Sequence, residues 1–106
     1  MSLPTTLQSI GNGAFQGCTG ITTYDINFST MSALEYINSA AFEGCAWLSD
    51  EISFPASLQI IGNRAFLGTG ITSLTFPASS VLDYIGKEAF RNCTDLAGTI
   101  LFPASL

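Results

Sequence analysis

The side chains of this chain that could carry chemistry are few, and most of them recur at a fixed spacing. Cysteine occurs three times, as Cys18, Cys45 and Cys93, and histidine does not occur. Without histidine the usual general base and the commonest metal ligand are missing, so Ser-His-Asp and Cys-His arrangements are excluded within the chain. Zinc needs converging ligands at close spacing such as C-x-x-C, and these cysteines stand 27 and 48 residues apart. Asp25, Asp50 and Glu51 are the candidates for a calcium site, which draws on about six or more oxygens. Three acids fall short of that, and a solvated acidic patch is expected. The glycines recur along the chain and do not cluster as a phosphate loop would require. No catalytic residue, metal or cofactor is therefore expected.

Charge narrows the partners. Eight acids stand against Arg64, Lys87 and Arg91, giving a net charge of −5. Nucleic-acid binding needs many Lys or Arg against phosphates, and three scattered basic residues argue against it. Charged residues are only 10% of the 106, yet the apolar 47% is split into short groups. No run approaches the ~20 residues that span a bilayer, so no membrane insertion is expected. Met1-Ser2-Leu3-Pro4 has neither a basic segment nor an apolar one, and no signal peptide is read there.

The elements that position these residues come from a repeat. Ala-Phe recurs at Phe15, Phe42, Phe66 and Phe90, with spacings of 27, 24 and 24 residues. Such periods mark a solenoid or array. Five residues before each Phe stands Ile10, Ile37, Ile61 or Ile85, and three before that Leu7, Leu34, Leu58 or Leu82. Ile21, Leu48, Ile71 and Leu96 follow downstream. A double period lies over the single one: residues 41–58 align without gaps on 89–106, and 28–42 on 76–90. The chain reads as a duplicated two-repeat unit.

Two columns hold only Gly and Asn: Gly11, Asn38, Gly62, Gly86, and Gly17, Gly44, Gly68, Asn92. These residue types enter the left-handed region at low cost, which predicts two positive-φ corners per repeat. The residues between them, such as 62–68, suit one helical turn closed by Gly. Leu58 to Ile61 reads as a short strand. Ile71 to Phe76 alternates apolar and polar residues as a half-buried strand does. Such strands stop at Pro55, Pro77 and Pro103, since proline cannot donate to a ladder.

The phrase Phe-Pro-Ala-Ser-Leu-x-x-Ile-Gly-x-x-Ala-Phe-x-Gly-Cys-x-x-Leu resembles the BspA-like branch of leucine-rich repeats over nearly the whole chain. It departs at Thr69, which replaces a Cys, and in the longer first repeat. The expected fold is mostly β: one domain over 1–106, a right-handed solenoid of four coils at about 3–28, 29–54, 55–76 and 77–102, with a fifth beginning at 103–106. The parallel sheet is expected on the flank starting near Ile21, Leu48, Ile71 and Leu96, with short strands and single helical turns opposite. The cysteine column is expected as buried free thiols, and the Phe column as core. The resemblance implies a surface protein, often an adhesin that binds host or matrix proteins, and so favours an extracellular or cell-surface location.

The side chains left for partner contact are Trp47, which takes a loop position held elsewhere by Gly20, Gly70 and Asp95, then Tyr36 and Tyr84 on the short-strand flank. Thr22, Thr23, Asp25, Asp50, Glu51, Thr72, Ser73 and Thr75 fall on the long-strand face. Tyr and Trp are favoured interface anchors. A non-catalytic protein-binding module is the expected function, with a structural spacer or self-assembling segment as the alternative. The chain opens at Leu3-Pro4 and closes at Phe102-Pro103, in the same phase and without a polar cap. That suggests a segment of a continuing array and predicts end-to-end self-association.

Overall fold

Each Leu-x-x-Ile segment turns its Ile inward, fully or partly buried, and the residue before it outward, the alternation of an extended chain. In the computed structural model, which describes residues 3–21, 26–98 and 100–106, those segments are strands. They are β1 (Ser9–Ile10), β2 (Tyr36–Ile37), β4 (Ile60–Ile61) and β6 (Tyr84–Ile85). They form one parallel sheet in the order β1-β2-β4-β6. Its register runs Ser9, Tyr36, Ile60, Tyr84 on the outside and Ile10, Ile37, Ile61, Ile85 beneath.

This overturns the expected location of the main sheet. On the long flank the described residues hold only β3 (Glu51–Ser53) and β5 (Ser73–Thr75), paired in parallel. Where the first repeat passes into the second, a 3-10 turn spans Phe28–Thr30. There the Asn27 side chain accepts from the Ser29 N–H, and the Thr30 hydroxyl donates to the Asn27 carbonyl. Such local bonds compete with a ladder. The long flank also absorbs every length difference between repeats, whereas the stretch from Leu to Phe has none. Pairing is therefore most regular on the short flank.

The segments between strand and Cys column are not helical turns. In the second repeat, alternate N–H groups bond locally, Ala41 to Asn38, Glu43 to Ala40 and Cys45 to Phe42. The others, Ala40, Phe42 and Gly44, donate to Asn63, Ala65 and Leu67 of the next repeat at 2.8–2.9 Å. Half the donors leave the segment, so no helix propagates.

One of the two corner columns is corrected as well. Gly17, Gly44, Gly68 and Asn92 have positive φ as expected. The other positive-φ corner lies two residues beyond its predicted column, at Gly13, Ala40, Arg64 and Glu88. Gly62 and Gly86 answer a different demand. A Cβ on Gly62 would lie 2.6 Å from the Ser39 nitrogen, and one on Gly86 would lie 2.4 Å from the Asn63 nitrogen. The backbones of successive repeats approach too closely there for a side chain.

The core is a set of stacked columns. Phe15, Phe42, Phe66 and Phe90 stack face to face at 5.1, 5.4 and 5.4 Å. A second column, Phe28, Phe54, Phe76 and Phe102, stands beside it, with Phe28 and Phe54 edge-on to Phe66. All three cysteines are free; Cys45 and Cys93 are buried and Cys18 half-buried. The Cys45 and Cys93 thiols donate to the carbonyls of Phe15 and Phe66 at 3.0 Å. Burial, and secondarily the neighbouring Cys18, pushes the Cys45 thiol up to about 11. Thr69, in the Cys column, is buried with its hydroxyl 3.2 Å from the Cys93 sulfur.

Candidate functional site

The structure divides the candidate contact residues between two faces. On the four-stranded sheet, Ser9, Tyr36, Ile60 and Tyr84 form a single outward file. Tyr36 is 37% exposed and Tyr84 49%. Gln8, Glu35, Gln59 and Asp83 border it at the strand starts, and the Gln59 amide donates to the Glu35 carboxylate at 2.7 Å. The other border is pinned by asparagines. Asn12 Oδ1 accepts from the Ser39 N–H at 3.1 Å, and Asn63 Oδ1 from the Lys87 N–H at 2.8 Å. The Tyr84 hydroxyl lies 3.4 Å from Asn63 Oδ1. Asn38 donates from its side chain to the Ile10 carbonyl at 2.9 Å. The file therefore stands on a floor tied both by strand pairing and by side-chain bonds across repeats.

The second face gathers Asp50, Glu51, Thr72, Ser73 and Thr75. Glu51 opens β3 in register with Ser73, and Thr72 donates to the Asp50 carbonyl at 3.4 Å. The Ser53 and Thr75 hydroxyls lie 2.7 Å apart. Ser53 was not singled out from the sequence, although it alternates outward with Glu51 around buried Ile52. Beyond these strands a groove of about 390 Å³ is lined by Ser29, Ser53, Phe54, Pro55, Phe76 and Pro77, among others. Thr22, Thr23 and Asp25 lie outside the described residues.

Trp47 does not project. It is half-buried against the core, and its indole N–H donates to the Cys18 carbonyl of the preceding repeat. Of the glycines in its column, Gly20 has open space around it, whereas a Cβ on Gly70 would lie 2.9 Å from the Ala46 carbonyl oxygen.

The basic residues are not scattered either. Arg64 Nε lies 3.3 Å from Glu88 Oε1, and Arg91 bonds the other oxygen of the same carboxylate. These bonds, from Arg91 first and then Arg64, hold the Glu88 carboxyl below its usual range. Lys87 lines the adjoining groove with Asn63, Arg64 and Glu88. The sequence signal was present, since the three cations occupy the last two repeats, but only stacking brings Arg64 beside Glu88.

Among the described residues no three of His, Cys, Asp and Glu come close enough to hold a metal ion. No helix among them is long and apolar enough to cross a membrane.

Parallel strands one repeat apart, glycine where repeats touch, and stacked Leu, Ile and Phe columns define a repeat protein of the leucine-rich type. The family model described as a BspA-type leucine-rich repeat region of six copies matches residues 26–106. The chain belongs to that family. Comparison with the curated proteins and with the solved structures gives no match.

Proposed function

We propose that this chain is a non-catalytic protein-binding module, a right-handed solenoid of four coils from a surface or secreted protein with an adhesin-like role. Right-handedness follows from the near-universal hand of crossovers between parallel strands. The observation that carries the binding reading is the outward file on the four-stranded sheet. Tyr36 and Tyr84 stand exposed on a hydrogen-bonded floor, and rigidly held tyrosines make effective interface anchors. The leucine-rich repeat family is in general a protein-interaction fold without enzymatic activity, and that supports the same reading. Asp50, Glu51, Thr72, Ser73 and Thr75 form a polar second surface for the same partner class, and Thr22, Thr23 and Asp25 belong to the corresponding stretch of the first repeat in sequence. Trp47 contributes by fixing its loop.

Solid-phase binding to a panel of purified extracellular-matrix proteins tests this. Saturable binding is expected, and a Tyr36→Ala/Tyr84→Ala double variant should weaken it. Binding to none of the panel would remove the adhesin-like role. Loss of binding in Thr72→Arg/Thr75→Arg, with the tyrosine variant unaffected, would move the site to the second face.

A second reading, self-assembly end to end, is favoured by Leu101 at 78% exposure and Phe102 at 51%. Sedimentation velocity decides it. A monomer at all micromolar concentrations would exclude association, and apolar contacts should persist in added salt.

A further inference from the structure

The two tyrosines of the sheet face are two registers apart, since Tyr36 pairs with Ile60 and Ile60 with Tyr84. Neighbouring strands lie about 4.8 Å apart, so the two tyrosine positions lie about 9.6 Å apart along the sheet. A polyproline II helix advances about 3.1 Å per residue with three residues per turn, or about 9.3 Å between residues on one side. The two periods agree within a few tenths of an ångström.

Other peptide conformations fit less well. An extended strand returns a side chain to the same face every second residue, about 6.7 Å on, and then misses the second tyrosine. An α-helix returns at i+7 after about 10.5 Å, and recognition of a helix uses a broad hydrophobic groove. Here the apolar part of the face is one residue wide. Its border at the strand starts carries Glu35, Gln59 and Asp83.

We propose that the Tyr36–Ile60–Tyr84 file docks a basic, proline-rich segment in the polyproline II conformation, lying across the strands. Prolines at i and i+3 sit over the two tyrosines, and the residues between them face Ile60. This rests on the protein-binding reading above and names its ligand. Aromatic grooves recognise such segments because their conformation is already set and little entropy is lost on docking. Charge selects a basic partner. The chain carries −5 overall, and Glu35 and Asp83 flank the file along one side. Glu35 holds the Gln59 amide with one oxygen, which leaves the other to receive an arginine. Lys87, on the opposite border, repels a cation and so fixes which side of the file the arginine takes.

The test is fluorescence anisotropy of the intact chain against a fluorescein-labelled peptide with proline at every third position and a terminal arginine pair. Saturable binding is expected. Tyr36→Ala and Tyr84→Ala should each weaken it by at least about ten-fold, the loss typical of an anchoring residue. Both side chains are exposed, and circular dichroism checks that the variants keep their fold. Tyr36→Phe and Tyr84→Phe, which keep the ring, should bind close to wild type. Asp83→Asn should weaken binding at low salt and flatten its salt dependence. The same peptide with every proline replaced by alanine should bind more weakly. The proposal is overturned if the tyrosine-to-alanine variants bind as wild type does, if the alanine peptide binds as tightly, or if no binding occurs up to millimolar peptide. Matrix-protein binding that survives such a failure sinks the proline-rich ligand alone, whereas loss of both sinks the binding module.

Discussion

Replacing Phe66 by Ala tests whether the stacked columns hold the molecule together as a chain of neighbour contacts. Phe66 is fully buried, with Phe42 and Phe90 stacked at 5.4 Å on either side. Phe28 and Phe54 meet its ring edge-on at 6.2 and 5.8 Å. Truncating a buried Phe costs about 3–5 kcal/mol, and four ring partners place this site at the upper end. Phe15 occupies the same column but is half-buried, with Phe42 at 5.1 Å as its stacked partner. Its truncation empties less enclosed space and should cost about half as much, ~2 kcal/mol. A domain of this size has roughly 5–15 kcal/mol in total, so Phe66→Ala removes a large share. Because face-to-face stacking links Phe66 to rings in both adjacent repeats and Phe15 to a ring in one, the Phe66 change weakens two stacked junctions and the Phe15 change weakens one. Urea melts followed by circular dichroism and by fluorescence of the single tryptophan measure both. Trp47 bridges the first two repeats through Cys18, so it reports that junction. In Phe15→Ala the fluorescence transition should precede the circular dichroism transition, and in Phe66→Ala the two should move together. Equal losses at both sites, or less than about 1 kcal/mol at Phe66, would refute the column as core.

Three further outcomes follow from other parts of the fold. Gly62→Ala should lower the melting temperature far more than Gly11→Ala, because a Cβ at Gly62 meets the Ser39 nitrogen at 2.6 Å whereas at Gly11 it meets nothing within 4 Å; equal melting temperatures would show that the repeats do not touch there. Iodoacetamide on the folded chain should alkylate Cys18 well before Cys45 or Cys93; the Cys45 thiol, held at about 11 against 9.0, should add stability below pH 9 that is lost as pH rises towards 11, a slope missing in Cys45→Ala melts.

The single-repeat period was fully legible in the sequence, and it carried the interior. The Leu, Ile and Phe columns lie where their spacing placed them, since columns in register must stack when strands run parallel. The flank of the main sheet was not legible. Ile71 to Phe76 shows the stronger β alternation, and Leu58 to Ile61 is too short to impress by propensity. Regular spacing between repeats mattered more than strand length, because a ladder needs every neighbour in the same register. The Gly/Asn columns were half read. Composition alone does not separate a glycine needed for positive φ, such as Gly68, from one needed because another backbone approaches, such as Gly62. Only the position of the next repeat distinguishes them. Trp47 misled for a related reason: a large residue among glycines suggested projection, but the space above the preceding repeat was vacant and took the indole.

The double period has a structural meaning that the single one does not. Odd repeats supply Asn12 and Asn63, whose side chains accept the Ser39 and Lys87 N–H groups of the even repeats that follow. Even repeats supply Tyr36 and Tyr84 on the outer face. The pair of repeats is thus the unit that interlocks, while each repeat separately fills the core. Any surface feature that differs between odd and even repeats must recur every second strand, about 9.6 Å along the sheet. A single-repeat surface would recur every 4.8 Å or so, too close for successive turns of a peptide helix to engage like side chains. Duplication of the two-repeat unit therefore keeps one interior and sets a surface period of twice the strand spacing. In the proposed docking, that longer period is the one that matches a polyproline II ligand turn by turn.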